Sequence, residues 1–486
     1  MSHQDRKSKE CIVVNHQSLK QAVDVLLPNR VFRGINMRRG SKWHARMLAV
    51  VALLWAWSGV PTLVARFFDA CKVARKAYRW LAAGETYQGF IKQLRKWHFE
   101  LKVACMGELR VLMKQDLFGQ WKVAGFVLIA GDGSRVELPR TESNEAAYSP
   151  KRKKKQSSRQ KRHRKTKANR GQRGKKWRRA RRQSQESIAK KINSPQMWLT
   201  LFWHMGTGLP WDWRTGPSDS SERQHLQEML GELPENSLIA ADAGFVGYDF
   251  WRAVMDAGQS FVIRAGANVR LLKRLGFARE YDNTVYLWPD AMAKKGSPPL
   301  VLRAVWVHNG KHPMCLVTNV LSKPRLSDEQ IVEIYKARWG VELFFRTFKQ
   351  TFGCRKLRSH SAENAELELD WALLGLWAIC LLAQRELVKA GRDPCQLSPA
   401  GAIKAVQEVM RHYRTRPEDI SETLWSMFRH ALLDDYERHS SKTARNYPRK
   451  KQHGRTGVPK MTNASKAQIA AAREVKAKQS EFQLTA

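Results

Sequence analysis

Four polar side chains recur at fixed intervals between Tyr335 and Lys349: Tyr335, Arg338, Glu342 and Lys349 are separated by two, three and six residues. On a helix turning about 100° per residue, all four fall within an arc of roughly 60°. One polar stripe then offers a carboxylate, a planar guanidinium fork, an ammonium point charge and a phenol, a set suited to holding an anion such as phosphate. Plainer readings stand beside it: Arg338 and Glu342 could be an ordinary i,i+4 ion pair, Lys349 could be solvated and Tyr335 could pack.

The elements that would position these groups can be read around them. Ile334, Val341, Phe345, Phe348 and Phe352 gather on another side of the same cylinder, so the helix should lay an apolar face on a core. Ser327 with Gln330 three residues on reads as a capping box, and Gly353 as a stop. Two more carboxylates follow dense apolar runs. The run GFVLIA leads into Gly131-Asp132-Gly133-Ser134 and a short alternating VELP, which reads as two strands joined by a turn, with Asp132 at a strand end. The run SLIAAD, Ser237 to Asp242, precedes Gly244 and the amphipathic YDFWRAVMDAG, a strand-loop-helix pattern that puts Asp242 at the matching position. A single Asp after a strand usually does no more than cap a turn. Three acidic groups in this order and context are more specific.

Composition narrows the partners. With 86 Lys and Arg against 44 Asp and Glu, the 486-residue chain carries a formal charge of +42, which favours a polyanion and above all nucleic acid. Hydrophobic residues make up 43% of the chain, with 18 Trp and 18 Phe, enough for real cores and against disorder throughout. Met47 to Trp57 and Trp371 to Ala383 are too short to span a bilayer and read as buried helices. The polar start MSHQDRKSKE does not resemble a secretory signal. Seven cysteines without a Cys-x-x-Cys pair argue against a disulfide framework and against structural zinc.

Residues from about 15 to 118 show helical apolar spacing, with cations Arg38, Arg39, Lys42, Lys72, Arg75, Lys92, Arg95 and Lys96 on the predicted exposed faces. From Lys151 through Arg182, 19 residues are Lys or Arg and none is acidic. Such a stretch has almost nothing apolar to bury and repels itself, so it should be a loop that grips a phosphate backbone, or else a solubilising or targeting run. Residues 258–326 alternate β-branched and aromatic residues with turn signals and read as strand-rich, while ENAELELDWALLGLWAICLLAQREL reads as a central helix apolar nearly all round. Helices near 399–414, 420–437 and 465–478 should close the chain, with a basic, loop-like stretch from Ser440.

Tyr, two residues, Arg, three residues, Glu, six residues, Lys is the signature of the insertion-sequence 4 group of transposases, and the stretch from Tyr335 to Lys349 resembles it residue for residue. The resemblance implies an α/β, ribonuclease-H-like catalytic domain with a β-rich insertion before the last catalytic Glu, an N-terminal helical DNA-binding domain and a helical C-terminal region. Expected boundaries are 1–118 for the helical DNA-binding region, 119–257 for the first part of the catalytic domain with its basic loop at 150–185, 258–326 for the insertion, 327–392 for the second catalytic part and 393–486 for the helical end and basic tail. Carried over, Asp132, Asp242 and Glu342 become catalytic and hold two Mg²⁺ ions, for which Mn²⁺ can substitute. Tyr335, Arg338 and Lys349 contact DNA phosphates, as would Lys151, Arg152, Lys153, Lys154 and Lys155 of the loop. The implied activity is cut-and-paste DNA transposition through strand cleavage and strand transfer at element ends, by way of a hairpin intermediate. The implied partners are double-stranded DNA, both terminal repeats and target, and a second copy in the DNA complex. A prokaryotic cytoplasmic, nucleoid-associated location with no membrane contact would follow. Some relatives grip a flipped base with an aromatic residue in the strand before the final catalytic helix; the equivalent strand here carries Met314 and Cys315. Two rivals are a catalytically inactive DNA-binding relic and a ribonuclease-H-like nuclease without transfer activity.

Overall fold

The computed structural model describes residues 18–37, 41–78, 84–150, 195–273, 283–308, 313–413, 423–433 and 457–485. The basic tract with Lys151, Arg152, Lys153, Lys154 and Lys155, and likewise Arg38 and Arg39, lies outside them.

Four helices open the chain: α1 (18–26), α2 (Ala45–Trp57), α3 (Leu63–Ala77) and α4 (Tyr87–Asp116). The Thr62 and Thr86 hydroxyls cap α3 and α4, each accepting a hydrogen bond from the backbone N–H three residues on, at Ala65 and Gly89. Nearly every residue of α2 is buried, because the helix is covered by α3, α4 and a later long helix.

From there the order is β1 (Val127–Glu137), α5 (Glu142–Tyr148), β2 (Gln196–His204), β3 (Leu209–Gly216), α6 (Glu222–Met229), β4 (Ser237–Ala241), α7 (Tyr248–Asp256), β5 (Ser260–Ala265), β6 (Arg270–Lys273) and β7 (Thr284–Leu287). Then come the short α8 (Asp290–Lys294), β8 (Leu300–His308), β9 (Pro313–Thr318), α9 (Asp328–Ala337), α10 (Gly340–Arg346), a π-helical turn (Thr347–Thr351), α11 (Ala362–Lys389), α12 (Pro399–His412), α13 (Leu424–His430), β10 (Lys460–Asn463) and α14 (Lys466–Thr485).

The described strands make one mixed sheet in the order β10-β6-β7-β8-β9-β5-β4-β1-β2-β3. At its centre β1, β4 and β5 are parallel, and β2 and β3 extend β1 as an antiparallel meander. The strands of the 258–326 stretch continue this sheet outward from β5, and β10, a strand unforeseen in the basic tail, adds itself in parallel to β6.

Two expectations need correction. The GDGS sequence is not a turn between two strands: β1 is a single strand of 11 residues, and Asp132 pairs opposite Leu201 in its middle. Gly131 and Gly133 are extended and make room for α6. A β-carbon on Gly131 would stand 2.7 Å from Leu226, and one on Gly133 2.5 Å from Glu222 Oε1. The glycines are packing signals rather than turn signals.

The helix expected from Ser327 to Gly353 is likewise not uniform. It starts at the anticipated Ser327–Gln330 capping box, tightens after Ala337 and widens into the π turn that carries Lys349 before Gly353, at φ +81°, ends it. In the tight part the N–H groups of Val341 and Glu342 donate to the carbonyls of Arg338 and Trp339, three residues back. Helix α11 is buried nearly all round, as its composition requires. Among the described residues no helix is long and apolar enough to cross a membrane.

Candidate active site

Strand alternation puts Leu128, Ala130, Asp132 and Ser134 on one face of β1. Leu128 packs there with Ala240 of β4, Val262 of β5 and Ile331 and Ile334 of α9. Asp132 therefore faces the layer that carries Tyr335, Arg338 and Glu342. Lys349 closes the arrangement from the π turn, its Nζ donating to Ser134 Oγ at 2.5 Å. Asp242 follows directly on β4, and its side chain accepts from the Gly244 N–H at 2.7 Å. The capping role foreseen for a strand-end Asp is real, yet the same carboxylate also acts on its neighbours electrostatically.

Those effects run through the whole group. Burial pushes the Asp132 carboxyl up to about 6, and the charges of Asp242 and Glu342 add to this against the pull of the Gly133 N–H and Arg338. Burial also raises Glu342, with Arg338 opposing and Asp242 adding. Lys349 is lowered by burial. Burial raises Tyr335, while the Arg338 and Arg264 charges oppose it.

Arg338 is the most constrained member. It is buried, its guanidinium lies over the Tyr335 ring at 5.4 Å, and its nearest approach to Glu342 is 3.7 Å, an ion pair too long for a hydrogen bond. Its Nε has no hydrogen-bond partner among the described residues. A buried guanidinium left with an unsatisfied donor is costly, and an anion supplied from outside would satisfy it.

Two residues at the site were not singled out from sequence. Arg264 sits near the end of β5, two residues beyond Val262 on the same face, and its charge reaches Tyr335. An Arg in the apolar strand SFVIRA was the available signal. Glu222, at the start of α6, lies over Gly133 from the other face of β1. Burial pushes its carboxyl up to about 7, with Asp132 and Asp242 contributing. No spacing rule links it to the stripe. Strand β9 carries Met314 and Cys315 as read, and the aromatic ring exposed beside the stripe is Trp339, 57% accessible, between Arg338 and Gly340.

The donor set is all oxygen and its carboxylates oppose one another's ionisation, which a divalent cation would relieve. Among the described residues no three His, Cys, Asp or Glu side chains come together closely enough to chelate a single ion. The carboxylates are thus an open set. Mg²⁺ commonly takes only one or two protein carboxylates and completes its shell with water and substrate phosphate, so an open set of oxygen donors fits it.

A family model described as "Transposase DDE domain" matches residues 126–378, just over half of the chain. The chain is 27% identical over 169 residues to the transposase InsG for insertion sequence element IS4 of Escherichia coli strain K12, covering 33% of this chain and 37% of that one. It is 29% identical over 157 residues to the putative transposase y4zB of Sinorhizobium fredii, covering 30% and 42%. The match thus spans about two fifths of these relatives. A solved structure, the piggyBac transposase synaptic complex with hairpin DNA, aligns over 86% of each chain at 9% identity with a TM-score of 0.40, too loose a likeness to argue from.

Proposed function

The chain belongs to the transposase DDE-domain family, and from that membership we propose that it cleaves DNA at the ends of a mobile element and joins the freed 3′-hydroxyl to target DNA. The observation that carries this reading is the pairing of a buried, incompletely satisfied Arg338 with the carboxylates Asp132, Asp242 and Glu342. One group asks for phosphate and the others for cations. The antiparallel meander β3-β2-β1 continued by parallel β4 and β5 supports a ribonuclease-H-like catalytic portion, residues 119–257 and 327–392, interrupted by 258–326.

Asp132, Asp242 and Glu342 would hold two Mg²⁺ ions, or Mn²⁺ in their place. Bound there, the ions supply an activated water and stabilise charge on the leaving oxygen. The rest falls to the chain. Arg338 orients the phosphate through the donors that Glu342 leaves free, Tyr335 donates one further hydrogen bond, and Lys349, held by Ser134, adds positive charge from the β1 side. Arg264 extends the cationic wall toward β5. Lys151, Arg152, Lys153, Lys154 and Lys155 grip the phosphate backbone, and residues 1–118 recognise the terminal repeats. For the hairpin step Trp339 offers the exposed ring that β9 lacks.

Strand transfer separates this reading from its rivals. A pre-cut duplex ending in a 3′-hydroxyl at the terminal repeat, mixed with supercoiled plasmid and Mg²⁺, should give covalently joined products. Cleavage without joining would leave a nuclease, and binding alone a DNA-binding relic.

A further inference from the structure

Helix α4 is 30 residues long, and its buried side, Leu94, Leu101, Cys105, Leu109 and Met113, is used by α2 and α11. Among the described residues the opposite side carries exposed apolar side chains. Phe99 is 74% exposed, Val103 54% and Val111 43%. Between the two valines lies Gly107, and among the described residues nothing comes within 4 Å of the place its β-carbon would take. A glycine in mid-helix is unfavourable and calls for a reason. Gly375 in α11 has an internal one, because Ala56 of α2 crosses it at 3.0 Å from a β-carbon position and Trp57 Nε1 donates to its carbonyl. Gly107 has no such reason among the described residues.

The exposed residues around Gly107 are arranged symmetrically. Val103 and Val111 lie four residues to either side, and Glu100 and Lys114, both exposed, lie seven to either side. At about 100° per residue these five stay within roughly 40° of the Gly107 direction, a straight seam along the helix. We propose that this seam is a contact between two copies of the chain, with their α4 helices antiparallel and crossing at Gly107. Antiparallel pairing places each Val103 near the partner's Val111 and each Glu100 near the partner's Lys114. Parallel pairing would set Glu100 against Glu100 and Lys114 against Lys114. The charges therefore select the antiparallel, two-fold arrangement, which closes as a dimer. A single helix pair is a small interface, so the dimer forms in the micromolar range rather than as an obligate unit. The contact rests on exposure, register and charge and does not depend on the catalytic reading.

Sedimentation equilibrium of the full chain, stripped of nucleic acid during purification and measured without DNA or divalent cations at about 0.15 M salt, where the exposed charges are still felt, tests it. The native chain should show a monomer–dimer equilibrium. Glu100→Lys alone and Lys114→Glu alone should each weaken the dimer about tenfold, since each change alters two symmetric pairs, and the double exchange should restore it. Gly107→Leu should abolish the dimer while leaving the thermal melt at least as high, because leucine favours the helix and meets none of the described residues. A native chain that stays monomeric, or a dimer indifferent to the single exchanges, overturns the proposal. So does a Val103→Glu variant that loses DNA binding but not the dimer, which would assign the face to nucleic acid.

Discussion

Gly340 and Trp203 touch across the catalytic face: a β-carbon on Gly340 would lie 2.2 Å from the Trp203 ring. Strand β2 and the first residue of α10 approach this closely only because position 340 has no side chain, and Glu342 rides two residues further on.

Gly340→Ala should therefore act at a distance. Relief of the clash pushes α10 away from β2, at a stability cost of about 1–3 kcal/mol, and a displacement of Glu342 by about 1 Å should slow cleavage on the order of 100-fold. Single-turnover cleavage would fall while DNA affinity holds. Trp203→Leu in the same chain should recover much of the rate, and a failure to recover would separate the defect from this contact.

The raised carboxyls make the cation-free protein sensitive to pH. Asp132 rises from 3.8 to about 6 and Glu222 from 4.5 to about 7 on folding. A raised carboxyl favours the folded state fully below its unfolded value, and that contribution is lost as pH climbs through the folded one. In chelator, the melting temperature should carry a downward contribution from these groups between about pH 4 and about pH 7. Asp132→Asn should flatten that slope, and Mg²⁺ should reverse it for the native chain. A slope unchanged in the variant would show that Asp132 ionises freely.

Asp370 ties α4 and β3 to α11. It accepts from His98 Nε2 at 2.7 Å, Lys102 Nζ at 2.9 Å and Trp213 Nε1 at 2.5 Å, and these partners hold its carboxyl well below the usual range despite burial. Because the carboxyl is lowered, its stabilisation is present above the unfolded value and is lost as pH falls through the folded one. Asp370→Ala leaves Lys102 without its buried partner and should cost about 3–5 kcal/mol in denaturant unfolding near neutral pH. A loss well under that range would mean that Lys102 finds solvent at once.

Sequence reading was strongest where the chemistry is local. The Ser327–Gln330 box, the Gly353 stop, Asp242 at the end of β4 and the buried character of α2 and α11 all follow from a few adjacent residues. It failed where a distant element decides. Gly131 and Gly133 look like turn residues until α6 is known to lie on them. The change from a tight to a π-wide helix keeps Lys349 at Ser134, and a uniform helical wheel cannot express it. Arg264, Glu222 and β10 depend on neighbours far along the chain.

The most direct measurement is cleavage of a labelled duplex bearing the DNA that flanks this gene, with Mg²⁺, by the native chain and by Glu342→Gln. The account predicts a cut at the repeat end leaving a 3′-hydroxyl, lost in the variant while DNA binding persists. Equal cleavage by both proteins, or binding without cleavage by the native chain in Mg²⁺ and in Mn²⁺, would contradict it.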